Sequence, residues 1–247
     1  MRNIWTIASR EYKAYFSGFT AYLFAFVLLL VVGGVFYASL YATLQSFGQY
    51  PPPGVEVVTG PIMFVLVFAC PAFTMRLLSE ETRQGTIELL LTAPLRDWEL
   101  VLGKWLGSFL LVATFVGITL IYPITLHAIT DPGIDQGPLV SGYLGVLLVV
   151  GAFLGLGVAI SSLFNNQVAS FLVTFAVIIL FWWIFGMFSQ VGGATGSQIV
   201  KYLDMSSHFY ENLYAGVIDL SSVVYLVSVT VLSLVLGTVS VETRRWR

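Results

Sequence analysis

Six long apolar runs constrain this chain more than any other feature of its sequence. They fall near residues 19–44, 58–75, 103–128, 139–163, 167–189 and 220–241. Each reaches roughly the 17 to 25 residues that a helix needs to cross a hydrocarbon core about 30 Å thick. Because a backbone in lipid must satisfy its own hydrogen bonds, each run is predicted to be a membrane-spanning helix. Pro71 and Pro123 lie inside two runs and are expected to bend those helices without ending them.

The composition of the chain also belongs to the membrane class. Of its 247 residues, 57% are apolar and only 10% are charged, and the mean hydropathy is +0.89. Soluble domains average about 25% charged residues. The single cysteine, Cys70, cannot form a disulfide within the chain, and the two histidines, His127 and His208, lie far apart in the sequence. These counts argue against a metal site built from Cys and His.

The distribution of Lys and Arg predicts the orientation of the spans. Ten of the eleven positive charges lie in the N-terminal segment, in the connection 76–104 or in the C-terminal tail, and the exception is Lys201. With an even number of spans, these three regions share one side of the membrane. Since positive charge marks the cytoplasmic side, both termini and the connection 76–104 are predicted to be cytoplasmic.

Residues 1–18 are predicted to form a helix that lies along the membrane surface. Spacings of three and four place most of its apolar residues on one helical face, among Arg2, Arg10, Glu11 and Lys13. These apolar residues are Ile4, Trp5, Ile7, Ala8, Tyr12, Tyr15 and Phe16. This pattern is typical of an interfacial helix. A signal peptide is the alternative, but the apolar run that follows is too long and lacks a small-residue cleavage site.

The connection 76–104 is the most polar stretch of the chain and holds nine of its 24 charged residues. Gly85 interrupts a helix that continues from the second span, and Thr86 can cap a new helix. Pro94 then biases Ala93 away from helical geometry. The pattern predicts a helix of about two turns, roughly 12 Å long. Such an element suits docking into a groove on another protein, and the alternative is a solvated loop whose leucines fold back onto the membrane.

Several function classes lack their characteristic residues. The sequence contains no Gly-x-x-x-x-Gly-Lys-Ser/Thr phosphate loop, so in an active transporter another chain would handle ATP. The middle of each predicted span has no ionisable residue, which disfavours coupling to an ion gradient. Ser161 and Ser162 have no acidic or His partner nearby in sequence, so we expect packing and hydrogen bonding between helices rather than catalysis.

Small residues at regular spacing mark two further helix surfaces. Gly103 and Gly107 form one pair, while Gly151, Gly155 and Gly157 form a second group. Small side chains permit the close approach of helices. We expect Gly151, Gly155 and Gly157 to serve helix packing, either within the chain or at a dimer seam. On the opposite side of the membrane, only the connection 190–219 is long enough to hold structure, with a short helix broken near the paired serines and another ending near Gly216.

A set of residues in the connection 76–104 carries a family resemblance. It consists of Glu81, Arg83, Gly85-Thr86, Glu88-Leu89-Leu90, Thr92, Pro94-Leu95 and Gly103-Lys104. This pattern resembles the signature of ABC-2 type transporter permeases, and the resemblance extends over the whole chain. Residues 206–219 and Tyr225 are similar to the gliding-motility-type permeases and, more distantly, to the permease used in nitrous oxide reductase maturation.

The resemblance implies an all-α integral membrane fold of the ABC-2, type V exporter-like kind. Residues 1–247 form one transmembrane domain, with 1–18 as an interfacial elbow helix, 76–104 as a cytoplasmic coupling loop and 190–219 as an extracytoplasmic connection of short helices. A coupling helix from about Thr86 to Thr92 would insert into a cleft of a separate ATP-binding subunit. The implied contacts to that subunit are Glu81, Arg83, Gly85, Thr86, Glu88, Leu89, Leu90 and Pro94.

By the same resemblance, the chain is a permease subunit that couples ATP hydrolysis on another subunit to export or conformational work. It has no catalytic, cofactor-binding or metal-binding residues of its own, and ATP and Mg²⁺ belong to the partner. The expected partners are two ATP-binding subunits, a second permease that is identical or a paralogue, membrane lipid and an extracytoplasmic protein, with no nucleic acid. The expected location is the inner (plasma) membrane. The alternatives are a non-transporting mechanotransmitter driven by an ABC ATPase and an ion-coupled secondary carrier.

Overall fold

A computed structural model describes residues 2–46, 53–85, 96–131, 133–189 and 200–245 of the chain. Within these residues the regular structure is helical. The helices are α1 (Arg2–Ser17), α2 (Phe19–Gln45), α3 (Glu56–Thr74), α4 (Ser79–Arg83), α5 (Asp97–Ile118), α6 (Ile121–Ile129), α7 (Gln136–Leu163), α8 (Gln167–Ile179), α9 (Phe185–Ser189), α10 (Met205–Ser207) and α11 (Leu220–Arg245). Wider π-type turns over Leu180–Ile184 and His208–Leu213 follow α8 and α10 without a break.

The six predicted spans are confirmed as helices long and apolar enough to cross a membrane. Within the described ranges these helices cover Phe19–Gln45, Glu56–Arg83, Asp97–Ile129, Gln136–Leu163, Gln167–Phe188 and Leu220–Thr243. Each begins or ends within a few residues of the predicted run, except where α5 extends the third span toward its N-terminus. The all-helical membrane fold predicted from hydropathy is therefore correct.

Helix α7 forms the centre of the bundle. Most of it is buried, and it packs against α3, α5, α8 and α11. Its side chains Val146, Val150, Phe153 and Leu154 are fully enclosed. Helix α2 lies at the periphery and exposes most of its apolar side chains. This surface is suited to lipid or to another membrane protein rather than to water.

The helix ends separate into two groups at opposite ends of the bundle. At one end, Ser161 in α7 contacts the start of α4, and the Ser240 hydroxyl of α11 donates a hydrogen bond to the Ser162 carbonyl at 3.2 Å. At the other end, the Tyr214 hydroxyl donates to the Glu56 carbonyl at 3.4 Å. We call the first group the charged end, because it carries the described Lys and Arg side chains other than Lys201.

The third span differs from its prediction in two respects. It begins at Asp97, inside the segment expected to be a loop, and the backbone N–H of Arg96 donates to Glu99 Oε2 at 3.2 Å where the helix starts. The helix is then interrupted by a turn at Thr119 and Leu120, ahead of Pro123. A proline has no N–H for the carbonyl four residues earlier, which here belongs to Thr119. The break therefore falls one turn before the proline rather than at it.

The connections also depart from their expected boundaries. Within the second span, α3 ends at Thr74 and a turn over 75–78 precedes α4, so the first interruption comes well before Gly85. Gly85 follows α4 with a left-handed φ of +70°. In the opposite connection the break falls at Asp204 rather than at the serines, because the Asp204 side chain accepts a hydrogen bond from the Ser206 N–H and caps α10.

Candidate functional site

Helix α1 lies in a shallow groove of α5 that two glycines create. A Cβ added at Gly103 would fall 2.8 Å from Ile7 Cβ, and one added at Gly107 would fall 2.7 Å from Glu11 Cβ. Carbon atoms that are not bonded to each other do not approach this closely, so a side chain at either position would displace α1. The pair Gly103 and Gly107 therefore lets the elbow helix lie directly against the third span.

A buried lysine joins three separate elements at the charged end. Lys104 is only 2% exposed, although it lies in an otherwise apolar stretch of α5. Its Nζ lies 3.1 Å from Glu11 Oε1 on α1 and 2.8 Å from Glu81 Oε1 on α4. We call Glu11, Glu81 and Lys104 the charge triad. It links the elbow helix, the polar connection and the third span through one ammonium group.

The charge triad is sensitive to the loss of its cation. Burying an ammonium group is costly unless carboxylates compensate it, and here Glu11 and Glu81 both do so. Removing the lysine would take away the one cation that both of these mostly buried carboxylates share, and leave Glu11 with the exposed Arg10 at 3.4 Å. The charge triad therefore adds an electrostatic contact to the packing that holds α1 and α4 against α5.

Tyr15 connects the C-terminal end of α1 to the second and third spans. Its hydroxyl lies 3.1 Å from both the Phe73 carbonyl and Ser108 Oγ, and it donates to the carbonyl. Burial raises the pKa of Tyr15 to about 12, so the hydroxyl keeps its proton at neutral pH. The Arg76 guanidinium lies 6.0 Å from the centre of the Tyr15 ring, within reach of a cation–π contact.

Ser161 positions the start of α4. Its Oγ accepts hydrogen bonds from the backbone N–H groups of Leu78 and Ser79, each at 3.1 Å. These are donors that the first turn of a helix leaves unpaired. The expectation that this serine hydrogen-bonds between helices agrees with these contacts. The short helix of the connection is thereby attached directly to the central helix α7.

The residues predicted to contact an ATP-binding subunit fall into two groups. Glu81 belongs to the charge triad, and Arg83 is exposed and pairs with Glu80 at 2.9 Å. Gly85 adopts its left-handed conformation with open space around it. Residues 86–95, which include the predicted contacts Thr86, Glu88, Leu89, Leu90 and Pro94, lie outside the described residues.

The glycines predicted to serve packing or a dimer seam all face helices of the same chain. A Cβ at Gly151 would lie 3.6 Å from Thr230 Oγ1, and one at Gly155 would lie 3.4 Å from Ser233 Cβ, both on α11. A Cβ at Gly157 would approach Thr74 Cβ of α3 to 2.6 Å. In the described part of the chain, each of these glycines lies where α7 packs against α3 or α11.

A polar cluster at the opposite end was not singled out from the sequence. His208 is buried, stacks on the Tyr225 ring at 4.3 Å and lies 3.1 Å from Ser222 Oγ. Its Nε2 lies 3.0 Å from the Tyr202 carbonyl, an acceptor, so Nε2 carries a proton. The sequence signal for this stretch was the likeness of residues 206–219 and Tyr225 to the gliding-motility-type permeases, which assigned His208 no role. Across the described ranges, no group of three His, Cys, Asp or Glu side chains could hold a metal ion.

Comparison with known proteins identifies the family. Residues 5–246 match the family model described as ABC-2 family transporter protein. The chain belongs to this family. It is also 30% identical over 119 residues to a probable multidrug ABC transporter permease, YbhR, of Escherichia coli strain K12, and equally to YbhR of Escherichia coli O157:H7. The match covers 48% of this chain and 31% of the length of each relative.

Membership of the ABC-2 family agrees with the signature read in residues 81–104 and with the six spans. The ABC-2 chain is thus a multi-pass membrane protein of a transporter family whose permease subunits are not themselves catalytic. The finer likeness to gliding-motility-type permeases is not tested by these relatives and stays a prediction.

Proposed function

We propose that this chain is the membrane subunit of an ABC transporter, and that ATP hydrolysis on a separate subunit drives movement of its spans. Family membership supports the transporter class. The observation that carries the coupling role is Lys104, whose single ammonium group pairs with both Glu11 and Glu81. A displacement of the polar connection would therefore reach the elbow helix and the third span together.

The charged end offers two routes for such a displacement. One route runs from α4 through Glu81 and Lys104 to α5, and on to α1 through Glu11. The second runs from the start of α4 through Ser161 into α7, the central helix. Both routes begin beside residues 86–95, the segment proposed to dock into the ATP-binding subunit. A force applied there would act on the core of the bundle and not only on a surface loop.

The proposed assembly contains two ATP-binding subunits and two permeases, with the charged end in the cytoplasm of the cell's inner membrane. The one-sided distribution of Lys and Arg supports this orientation. The mostly exposed apolar surface of α2 is available to lipid or to the second permease, whether identical or a paralogue. ATP and Mg²⁺ are assigned to the partner, since this sequence carries no phosphate loop.

The docking assignment is tested by introducing charge into its proposed apolar anchors. The double variant Leu89→Asp/Leu90→Asp should lose co-purification with the ATP-binding subunit, because two carboxylates cannot be buried in an apolar cleft without partners. A matched control is Val217→Asp/Ile218→Asp, which changes two exposed adjacent apolar residues at the opposite end. Equal recovery of the complex with both double variants would refute docking through Leu89 and Leu90.

A mechanotransmitter that transports nothing is the second candidate. It is favoured by the packed connection at the end opposite the charged end, where Tyr202 and Tyr210 expose their rings beside the buried His208 cluster. That surface could transmit movement to an extracytoplasmic protein. The ATPase rate of the complex in vesicles separates the two functions, since stimulation by a transported substrate supports the transporter and its absence across candidate substrates supports the mechanotransmitter.

A further inference from the structure

Two adjoining cavities lie where α1, α2 and α3 meet at the charged end. One is apolar, has a volume of about 400 Å³, and is a groove between α2 and α3. We call it the acyl groove, and its walls include Leu23, Val27, Val31, Phe64, Phe68 and Ala72. The other also has a volume of about 400 Å³ and is lined by Glu11, Arg76, Glu80, Glu81 and Lys104. We call it the headgroup cavity. Thr20 and Arg76 line both, so the two cavities adjoin at these two side chains.

The length of the acyl groove matches one leaflet of a membrane. On α3 the groove runs from Phe64 to Phe73 and continues into the following turn as far as Arg76, and on α2 it runs from Thr20 to Val31. At 1.5 Å per residue the helical parts are about 14 Å and about 16 Å long. Half of a hydrocarbon core about 30 Å thick is about 15 Å. The groove therefore accommodates a lipid chain that reaches from the membrane surface to the bilayer centre.

Arg76 provides a cation at the mouth of the groove. Its Nη2 donates to Thr20 Oγ1 at 3.2 Å, and its guanidinium lies above the Tyr15 ring, so contacts with α1 and α2 hold it in place. Over the described parts of the chain it enters no salt bridge. A guanidinium has five N–H donors in a geometry that suits a phosphate. Arg76 is thus a positioned cation at the mouth of the groove, with N–H donors suited to a phosphate.

Glu80 provides an acceptor in the adjoining headgroup cavity. Its Oε1 accepts hydrogen bonds from Arg83 and Gln84, whereas its Oε2 is buried and, among the described residues, accepts none. A buried carboxylate oxygen without a donor is unfavourable. A primary ammonium group would satisfy it, and a quaternary ammonium, which has no N–H, would not.

We propose that these cavities form a binding site for a phospholipid with a primary ammonium headgroup, such as phosphatidylethanolamine. One acyl chain lies in the acyl groove, the phosphate binds Arg76 and the ammonium binds Glu80. The lipid would join α1, α2 and α3 beside the charge triad. This site does not depend on coupling to an ATPase, so its test is independent of the docking test.

The test measures lipid binding to the purified full chain by native mass spectrometry after delipidation. Phosphatidylethanolamine, phosphatidylcholine and phosphatidylglycerol with the same acyl chains are each titrated, and inorganic phosphate is added separately. We expect one phosphatidylethanolamine per chain. Arg76→Gln should weaken its binding by about tenfold or more, while Glu80→Gln should remove the preference for phosphatidylethanolamine over phosphatidylcholine and phosphatidylglycerol.

Filling the groove tests the acyl chain. Ala72→Phe and Val27→Phe, on opposite walls, should each displace the lipid. The controls are Ala38→Phe, which adds the same bulk to an exposed position of α2 beyond the groove, and Lys13→Gln, which removes an exposed cation of α1. Undiminished binding by Arg76→Gln and both groove variants, or equal loss with the controls, would overturn the proposal. Binding of inorganic phosphate that requires Arg76, with no binding of lipid, would also contradict it. So would groove variants that dissociate a dimer of the chain without reducing lipid binding.

Discussion

At the scale of single residues, Lys104 and Ser161 connect α1 and α4 at the charged end to the membrane spans. Lys104 pairs with carboxylates from two other elements, and Ser161 accepts two backbone N–H groups that begin α4. Arg10 also pairs with Glu11, at 3.4 Å, but Lys104 pairs with Glu11 and Glu81 together. The two residues thus determine how firmly the polar connection is held on the bundle.

Replacing Lys104 by Met should destabilise the chain markedly. Breaking a buried ion pair by removing one partner costs about 3 to 5 kcal/mol, and we expect the lower part of that range because Glu11 and Glu81 keep 17% and 18% of their side-chain exposure. Thermal unfolding in detergent measures the change. Adding Glu11→Gln and Glu81→Gln to Lys104→Met should recover much of the loss, since no uncompensated charge then remains. A single variant as stable as the wild type would contradict the role of the triad.

Replacing Ser161 by Ala should loosen α4 without unfolding the bundle. The change removes the acceptor of the Leu78 and Ser79 N–H groups, and each buried donor left unpaired costs about 1 to 3 kcal/mol. Faster tryptic cleavage after Arg83, the exposed last residue of α4, is the expected observation. Ser162→Ala is the matched control, because the Ser162 hydroxyl donates only to the Ala159 carbonyl of its own helix. Equal cleavage rates for the two variants would rule out this function of Ser161.

At the scale of elements, the pairing of α1 with α5 depends on the absence of side chains at two positions. Gly103 and Gly107 leave the space that Ile7 and Glu11 occupy. We therefore predict that α1 moves together with the third span.

Replacing Gly107 by Ala should separate α1 from α5. The new Cβ would lie 2.7 Å from Glu11 Cβ and 3.0 Å from the Ala8 carbonyl, and overpacking of this kind costs about 1 to 3 kcal/mol. Gly117→Ala is the control in the same helix, because no atom lies within 4 Å of its Cβ position. There the higher helix propensity of Ala should leave stability equal or slightly raised. Melting temperatures measure both, and a Gly107→Ala protein as stable as the control would show that α1 is not held this way.

The elements that hydropathy determines could be predicted, and those that depend on distant partners could not. The six spans follow from long apolar runs, which need no knowledge of the rest of the fold. The turn at 75–78 and the start of α4 depend on Ser161, more than 80 residues away in sequence. Lys104 was recognised as part of a family signature, but its partners come from residues 11 and 81, and a pairing between such distant residues has no local pattern.

At the scale of the whole molecule, the charged end, α1 and the third span form one connected unit around the charge triad. The opposite end is held separately by the His208 cluster and by the contact of Tyr214 with Glu56. A transporter subunit built in this way would receive movement at one end and pass it along the spans. The unit containing α1, α4 and α5 should therefore move as a body when the ATP-binding subunit closes.

The most direct test is a distance measurement between α1 and α4 in the complete complex. Spin labels at Lys13→Cys and Gln84→Cys, both exposed positions, report this distance by pulsed electron resonance, while Cys70 is buried. A label at Ile218→Cys, paired with each, reports movement relative to the opposite end. On ATP binding, the distance between positions 13 and 84 should stay constant while both distances to position 218 change, and Lys104→Met should broaden the 13–84 distribution. A 13–84 distance that changes in the wild type, or that is unaffected by Lys104→Met, would contradict coupling through the charge triad.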